Sequence, residues 1–72
     1  MKYYFDVRFG KSIKNPLQII FVENGVAKGI NENNHSYYDA SNIYLDYNFA
    51  EIDLVQVSKN EVNDVLSKWG VL

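Results

Sequence analysis

The chain contains no cysteine, so neither a disulfide bond nor a thiolate-bound metal can stabilise its fold. Apolar runs are also short, and none approaches the ~18 residues of a membrane-spanning helix. We expect one domain, residues 1–72, in which folding buries only about 60–65% of the surface that the unfolded chain exposes. Aromatic packing must therefore supply much of the stability, and the sequence provides six Tyr, four Phe and one Trp.

The chain also lacks a large excess of charge of either sign. The formal net charge is −2 with both signs interspersed, which disfavours a nucleic-acid partner held mainly through its phosphates. Asp6 and Arg8 interrupt the apolar start of the chain, so we expect no signal peptide, no membrane partner and a cytoplasmic location. The abundance of asparagine, lysine, isoleucine and tyrosine is typical of an AT-rich genome, such as that of a low-GC bacterium or its phage.

The end of the chain carries the strongest structural signal. Ser58 and Glu61 have the spacing of a capping box, in which each side chain accepts a hydrogen bond from the other residue's backbone N–H. Apolar residues then recur at intervals of three and four, and Gly70 supplies a left-handed stop. These apolar residues are Val62, Val65, Leu66 and Trp69. The sequence predicts a C-terminal helix with one buried face.

The pair Asn24-Gly25 tolerates the two positive φ angles of a type I′ turn and predicts a hairpin between residues 17–23 and 26–30. A two-residue turn also fixes which residues lie opposite each other. The expected pairs are Ile19 with Ile30 and Phe21 with Lys28 on one face, and Ile20 with Gly29 and Val22 with Ala27 on the other.

Alternation of apolar and polar residues predicts further strands at residues 2–9, 42–49 and 52–57. The inward side chains would be Tyr3, Phe5, Val7 and Phe9 in the first of these strands, and Ile43, Leu45, Tyr47 and Phe49 in the second. Residues 31–36 have no periodicity and are rich in turn formers, so we expect a mobile surface loop there. Residues 37–41 are ambiguous and have room for a short helical turn.

Together these elements predict an α+β fold: a small antiparallel sheet of four to five strands, either open or curled into a barrel, with one C-terminal helix packed on one face. A single helix leaves the other face of the sheet uncovered. Candidates for that face include Tyr4, Ile20, Val22 and Tyr44, which are too apolar to leave to water. Curling of the sheet, pairing of two copies or binding of a different protein would each cover it.

Signals for chemistry are weak. The Gly-Lys-Ser sequence at residues 10–12 lacks the upstream glycine that a phosphate-binding loop needs. His35 is the single imidazole, and although Glu32 and Asp39 are near it in sequence, no second His or Cys completes a zinc site. We therefore predict no catalytic residue, no metal site and no cofactor, and we do not expect an enzyme.

The favoured interpretation is a small non-enzymatic protein-interaction module, such as a regulatory or inhibitor protein of a bacterium, phage or mobile element. Its binding residues would be Tyr4, Ile20, Val22 and Tyr44, with Asp6 and Asp46 setting the orientation of the partner.

Two alternatives remain open at this point. Tyr37 and Tyr38, with Tyr4 and Tyr44, are expected at or near the surface, where tyrosines beside scattered cations such as Lys28 suit single-stranded nucleic acid. A structural homo-oligomer would instead bury the second sheet face by self-association, forming a homodimer in the simplest case.

Overall fold

The computed structural model describes residues 1–72 as an open antiparallel sheet of five strands with two helices. The strands are β1 (Lys2–Asp6), β2 (Gln18–Glu23), β3 (Val26–Asn31), β4 (Asn34–Asp39) and β5 (Val55–Val57). The helices are α1 (Ser41–Asn48), between β4 and β5, and α2 (Lys59–Lys68), after β5. The strand order is β4-β3-β2-β1-β5. The predicted α+β class is confirmed, but the sheet is not curled into a barrel and the fold has one helix more than expected.

The β2–β3 hairpin forms as the Asn-Gly pair predicts. Asn24 and Gly25 have φ angles of 52° and 76°, so both occupy the left-handed region that a type I′ turn requires. The predicted pairs of opposite residues are all observed. Two residues of local sequence therefore determine the register of the central hairpin.

Helix α2 is likewise confirmed. The Ser58 hydroxyl accepts from the Glu61 backbone N–H at 3.2 Å, and the Ser58 backbone N–H donates to the Glu61 carboxylate at 2.9 Å. The helix ends at Trp69, and Gly70 follows with a φ angle of 80°. The apolar stripe of α2 packs on one side of the sheet, which we call the α2 face.

Residues 42–49 form most of α1 and not the predicted strand. Leu45 and Phe49, expected to point inwards, are 50% and 70% exposed. The alternation that suggested a strand coexists with helical spacing, because Ala40, Ile43, Tyr44 and Tyr47 are separated by three, one and three residues. These four side chains belong to or pack against the core on the opposite side of the sheet, the α1 face.

The predicted loop at residues 31–36 is a tight turn followed by strand β4. The Asn31 side-chain oxygen accepts from the backbone N–H groups of Asn33 and Asn34 at 2.9 and 2.8 Å, and these hydrogen bonds close the turn. No apolar pattern in the sequence marks this turn. Strand β4 continues to Asp39, so residues 37–41 contain the end of a strand and the start of a helix.

The pairing of β3 with β4 contains a bulge. Gly29 lies opposite Tyr38 and Asn31 opposite Asn34, so one residue of β3 faces three residues of β4. A bulge bends its strand and redirects the side chains it carries. The three residues concerned are 35–37, and they lie on an edge strand of the sheet.

Two other strands are shorter than predicted. Strand β1 ends at Asp6, and Phe9 has a φ angle of 59° and is 79% exposed instead of buried. Strand β5 contains only Val55–Val57, although Leu54 before it is buried on the α1 face.

Each face of the sheet has its own apolar core. Beneath α2 lie Phe5, Ile19 and Ile30, in contact with Val62, Val65, Leu66 and Trp69 of the helix region. Beneath α1 lie Tyr4, Ile20, Val22, Ala27, Ala40 and Leu54. Neither helix is long and apolar enough to cross a membrane.

The helical geometry of α1 distinguishes two neighbouring substitutions. Ile43→Asp places a charge against the α1-face core and is expected to lower the free energy of unfolding by about 2–3 kcal/mol. Leu45→Asp lies on the exposed side of the same helix and should cost less than about 1 kcal/mol. Urea denaturation followed by Trp69 fluorescence measures both, and equal losses would contradict the helical assignment.

Gly29 leaves space for an aromatic ring. A Cβ atom built at this position would lie 2.9 Å from Cζ of Tyr38, and the Tyr38 hydroxyl is held by a 2.7 Å hydrogen bond to Gln18. We expect Gly29→Ala to destabilise the protein by about 1–3 kcal/mol because the ring cannot move aside freely. In a Tyr38→Ala background the same substitution should cost much less, and an equal cost in both backgrounds would exclude this clash.

Candidate binding surface

The four residues expected to form an outward-facing binding surface do lie together, but they lie beneath or within α1. Tyr4, Ile20 and Val22 are 3%, 0% and 7% exposed, and Tyr44 is a half-buried residue of α1 itself. The expected exposure of this face is therefore wrong, since a helix of the same chain covers it. Tyr4, Ile20 and Val22 therefore offer almost no area to a partner, and Tyr44 offers only part of its side chain.

Helix α1 is held to the sheet by three tyrosines. The Tyr4 ring centroid lies 5.9 Å from that of Tyr44 and 5.2 Å from that of Tyr47, within the range of favourable aromatic contacts. Burial raises the pKa of Tyr4, and the neighbouring Tyr44 raises it further. Tyr4 therefore stays neutral, and packing is the evident role of the three rings.

Asp6 is fully buried, whereas the sequence suggested an exposed charge that orients a partner. Its carboxylate accepts from Arg8 Nε and a terminal Arg8 nitrogen at 2.9 and 2.8 Å, and from Gln18 Nε2 at 2.9 Å. Burial alone would raise the pKa of Asp6, but the hydrogen bonds from Arg8 and Gln18 outweigh burial and hold this pKa below its ordinary value.

The hydrogen bonds continue from Asp6 across the sheet. The Tyr38 hydroxyl donates to Gln18 Oε1 at 2.7 Å, and Asn31 Nδ2 donates to the Tyr38 hydroxyl at 3.3 Å. We call Asp6, Arg8, Gln18, Asn31 and Tyr38 the Asp6 network. It links β1, β2, β3 and β4 at one end of the sheet. Its members hydrogen-bond to one another, so the network is better suited to fixing register than to binding a ligand.

An accessible candidate lies on the other side of the sheet. On the α2 face, Tyr3, Phe21 and Tyr37 form a row of three rings with edge-to-face contacts at centroid distances of 5.8 and 5.4 Å. This row is the floor of a groove of about 430 Å³, which we call the aromatic groove. Val62 and Leu66 of α2 form one wall. Tyr37 is 59% exposed, so much of the floor is in contact with solvent.

The charge of the aromatic groove has one sign. Lys28 and Lys59 are among its lining residues, and no carboxylate lines it. Lys28 lies opposite Asp39 in the strand register, but the Asp39 carboxylate accepts from the backbone N–H and hydroxyl of Ser41. The hydrogen bonds from Ser41 hold the pKa of Asp39 below its ordinary value, and the nearby Lys28 lowers it further. The charged side chains that line the groove are therefore both lysines, although the chain has a net charge of −2.

A second groove of similar size, about 420 Å³, lies between α2 and the connection from β1 to β2. Its rim carries charges of both signs, including Asp64 and Lys68. Lys68 Nζ also donates to the Lys14 carbonyl oxygen at 2.9 Å, so one of its cations is used within the protein. This mixture of charges does not favour a ligand of either sign.

No group of three or more His, Cys, Asp and Glu side chains is arranged to hold a metal ion. His35 instead makes a 2.8 Å hydrogen bond from its Nε2 to the Glu32 carbonyl oxygen across the β3–β4 turn. Asp46 lies on α1 and contributes with Asp6 to a raised pKa of Arg8, for which the hydrogen bond from Arg8 to Asp6 is the main cause.

The sequence identified part of the aromatic groove. The sequence predicts Tyr37 as a surface aromatic residue and Lys28 as a nearby cation. It predicts Tyr3 as an inward-facing residue and places Phe21 only on the same face of the hairpin as Lys28. Tyr3 and Phe21 both lie on the α2 face, and what the sequence did not reveal is that α2 leaves them half-buried at one corner of the sheet. The contact of Tyr37 in β4 with Phe21 in β2 spans β3, and it has no local signature in the sequence.

Comparison with protein-family models, with curated proteins and with solved structures found no match.

The Asp6 network predicts a pH dependence of stability. A carboxyl group whose pKa is lowered by folding stabilises the protein above its unfolded value of about 3.9 and loses that contribution as pH falls through the folded value. We expect the free energy of unfolding to fall between about pH 5 and pH 2, and to fall less steeply in Asp6→Asn. At pH 7, Asp6→Asn should cost about 1–3 kcal/mol.

The exposed Asp53→Asn variant controls for the loss of one negative charge and should retain the wild-type pH profile. Denaturation curves at several pH values measure all three proteins. An Asp6→Asn variant with the same pH slope as the wild type would show that this buried carboxylate does not contribute to acid sensitivity.

Proposed function

We propose that this chain is a non-enzymatic protein-interaction module that binds its partner in the aromatic groove. The main support for this proposal is the row of three edge-to-face rings that α2 leaves uncovered, formed by Tyr3, Phe21 and Tyr37. A cytoplasmic setting in a bacterium or its phage, and a regulatory or inhibitory role, are part of the proposal and rest on composition and size alone.

The character of the exposed rings supports protein recognition. Tyrosine and other aromatic residues are enriched among the residues that dominate binding energy in interfaces, because they bury a large area at low cost in conformational entropy. Phe21 contacts both other rings, which holds the row in place before a partner arrives. A preordered surface loses less side-chain entropy on binding than a flexible one.

The position of Tyr37 gives independent support. Tyr37 lies in the three-residue bulge of β4, and bulges often redirect a side chain next to a functional site. Its ring contacts Phe21 across the edge of the sheet although its exposure exceeds one half. A residue needed only for stability would be expected to bury more of its apolar area.

Single-stranded nucleic acid is the second candidate, since three rings beside Lys28 and Lys59 could also stack bases. Two lysines in a chain of net charge −2 provide little phosphate neutralisation, so this candidate ranks lower. Homo-oligomerisation was expected because one face of the sheet seemed uncovered. Since α1 covers that face, this reason for self-association no longer applies.

Two exposed aromatic residues provide a matched test. Tyr37→Ser removes one ring from the groove, whereas Phe49→Ser removes a 70% exposed ring from the end of α1. Each purified variant and the wild type would be immobilised and incubated with bacterial lysate, and captured proteins would be quantified by mass spectrometry. Any protein depleted by Tyr37→Ser would then be purified for calorimetry.

We expect Tyr37→Ser to weaken binding of the purified partner about tenfold or more, and Phe49→Ser to leave it unchanged. Both positions are exposed, so both variants should fold, and Tyr37→Ser should lose only about 1 kcal/mol of stability with its contact to Phe21. If every captured protein binds Tyr37→Ser as tightly as it binds the wild type, the aromatic groove is not the interaction surface.

A further inference from the structure

We infer that the partner of the aromatic groove is an acidic protein segment that inserts an aromatic or aliphatic side chain between the rings and α2. This inference rests on the proposed function and adds the chemistry of the partner. It comes from the combination of an apolar floor with a rim that carries positive charge only.

The two cations lie on different elements beside the floor. Lys28 extends from β3 in the sheet, and Lys59 is the first residue of α2. Neither takes part in an ion pair, because the one salt bridge of the protein joins Arg8 to Asp6. Both ammonium groups are exposed and available to a carboxylate on a bound segment.

The acidic residues of the same region are used elsewhere. Glu61 lies two residues after Lys59, but its carboxylate accepts from the Ser58 backbone N–H and hydroxyl in the capping box. Asp39, opposite Lys28, is bound to Ser41. Both carboxylates keep their negative charge, and attraction to Lys28 contributes to the lowered pKa of Asp39. Neither carboxylate lines the groove, whose lining has the two lysines as its charged side chains.

The size and lining of the groove define the anchor. Its volume of about 430 Å³ falls within the range typical of ligand-binding clefts. Tyr3, Phe21, Val62 and Leu66 present ring edges and methyl groups, which favour an apolar side chain over a sugar or a phosphate. The two lysines then select among apolar segments those that carry neighbouring carboxylates.

A library of random peptides displayed on phage provides the probe. It would be selected on the wild-type protein, and peptides that lose binding to Tyr37→Ser would be sequenced and synthesised. We expect these peptides to combine an aromatic or aliphatic residue with a net negative charge. Affinities would be measured by fluorescence polarisation at several salt concentrations, with a single-stranded oligothymidylate as competitor.

Two double variants of equal net charge distinguish the effect of the groove lysines from the effect of the protein's total charge. Lys28→Gln with Lys59→Gln removes the cations of the groove, and Lys2→Gln with Lys11→Gln removes two cations that do not line it. The first pair should weaken peptide binding about fivefold and reduce its salt dependence, and the second should change affinity less than about twofold.

The inference is overturned if the groove-dependent peptides are neutral or basic, if no groove-dependent peptide is selected, or if both double variants have the same effect. Displacement of the peptides by oligothymidylate at lower concentration than by acidic peptide would overturn it in favour of nucleic acid. A peptide or protein that needs Tyr37 but ignores Lys28 and Lys59 would refute the acidic partner alone. Binding insensitive to Tyr37 would instead refute the proposed function.

Discussion

Strand β2 buries side chains on both of its faces, and this requirement determines the layers of the fold. Ile19 and Ile20 are adjacent in sequence, point to opposite sides of the sheet and are both 0% exposed. Each face therefore needs its own cover. Helix α2 has the local signals to form, whereas α1 has eight residues, no side-chain cap and no fully buried residue. So short a helix is marginal by itself, and its contact with Tyr4 and the α1-face core supplies the missing stability.

The Asp6 network, at one end of the sheet, helps to fix the register of the strands. A one-residue slip of a strand would exchange its two faces, and where both faces are apolar the hydrophobic pattern alone penalises such a slip weakly. Asp6, Gln18 and Tyr38 reach their partners in one register only. A buried carboxylate with unsatisfied oxygens would be costly, so the network adds specificity that apolar contacts on β1 and β2 do not provide.

The parts of the fold that could be predicted are those with local causes. Asn24-Gly25 specified a hairpin and its register, and Ser58 with Glu61 specified the start of α2, because turn and cap geometry depend on neighbouring residues. Helix α1 could not be assigned from local pattern, since inward positions every second residue and inward positions three and four apart both fit residues 40–49. Burial against Ile20 and Val22 decides between them, and that contact is non-local.

The packing of α1 on the sheet also explains why most of the predicted binding residues are buried and why the proposed groove lies on the other face. Five strands at about 4.8 Å spacing form a sheet about twice as wide as a helix of about 10 Å diameter, so α2 must leave part of its face open. The widths of sheet and helix require that part of this face stays open, but they do not determine which residues lie there. Tyr3, Phe21 and Tyr37 occupy this open part of the face, the first two half-buried and the third exposed. A ring that is 59% exposed adds little to stability by burial, so the proposed recognition of a partner accounts for Tyr37 through the row of rings to which it belongs.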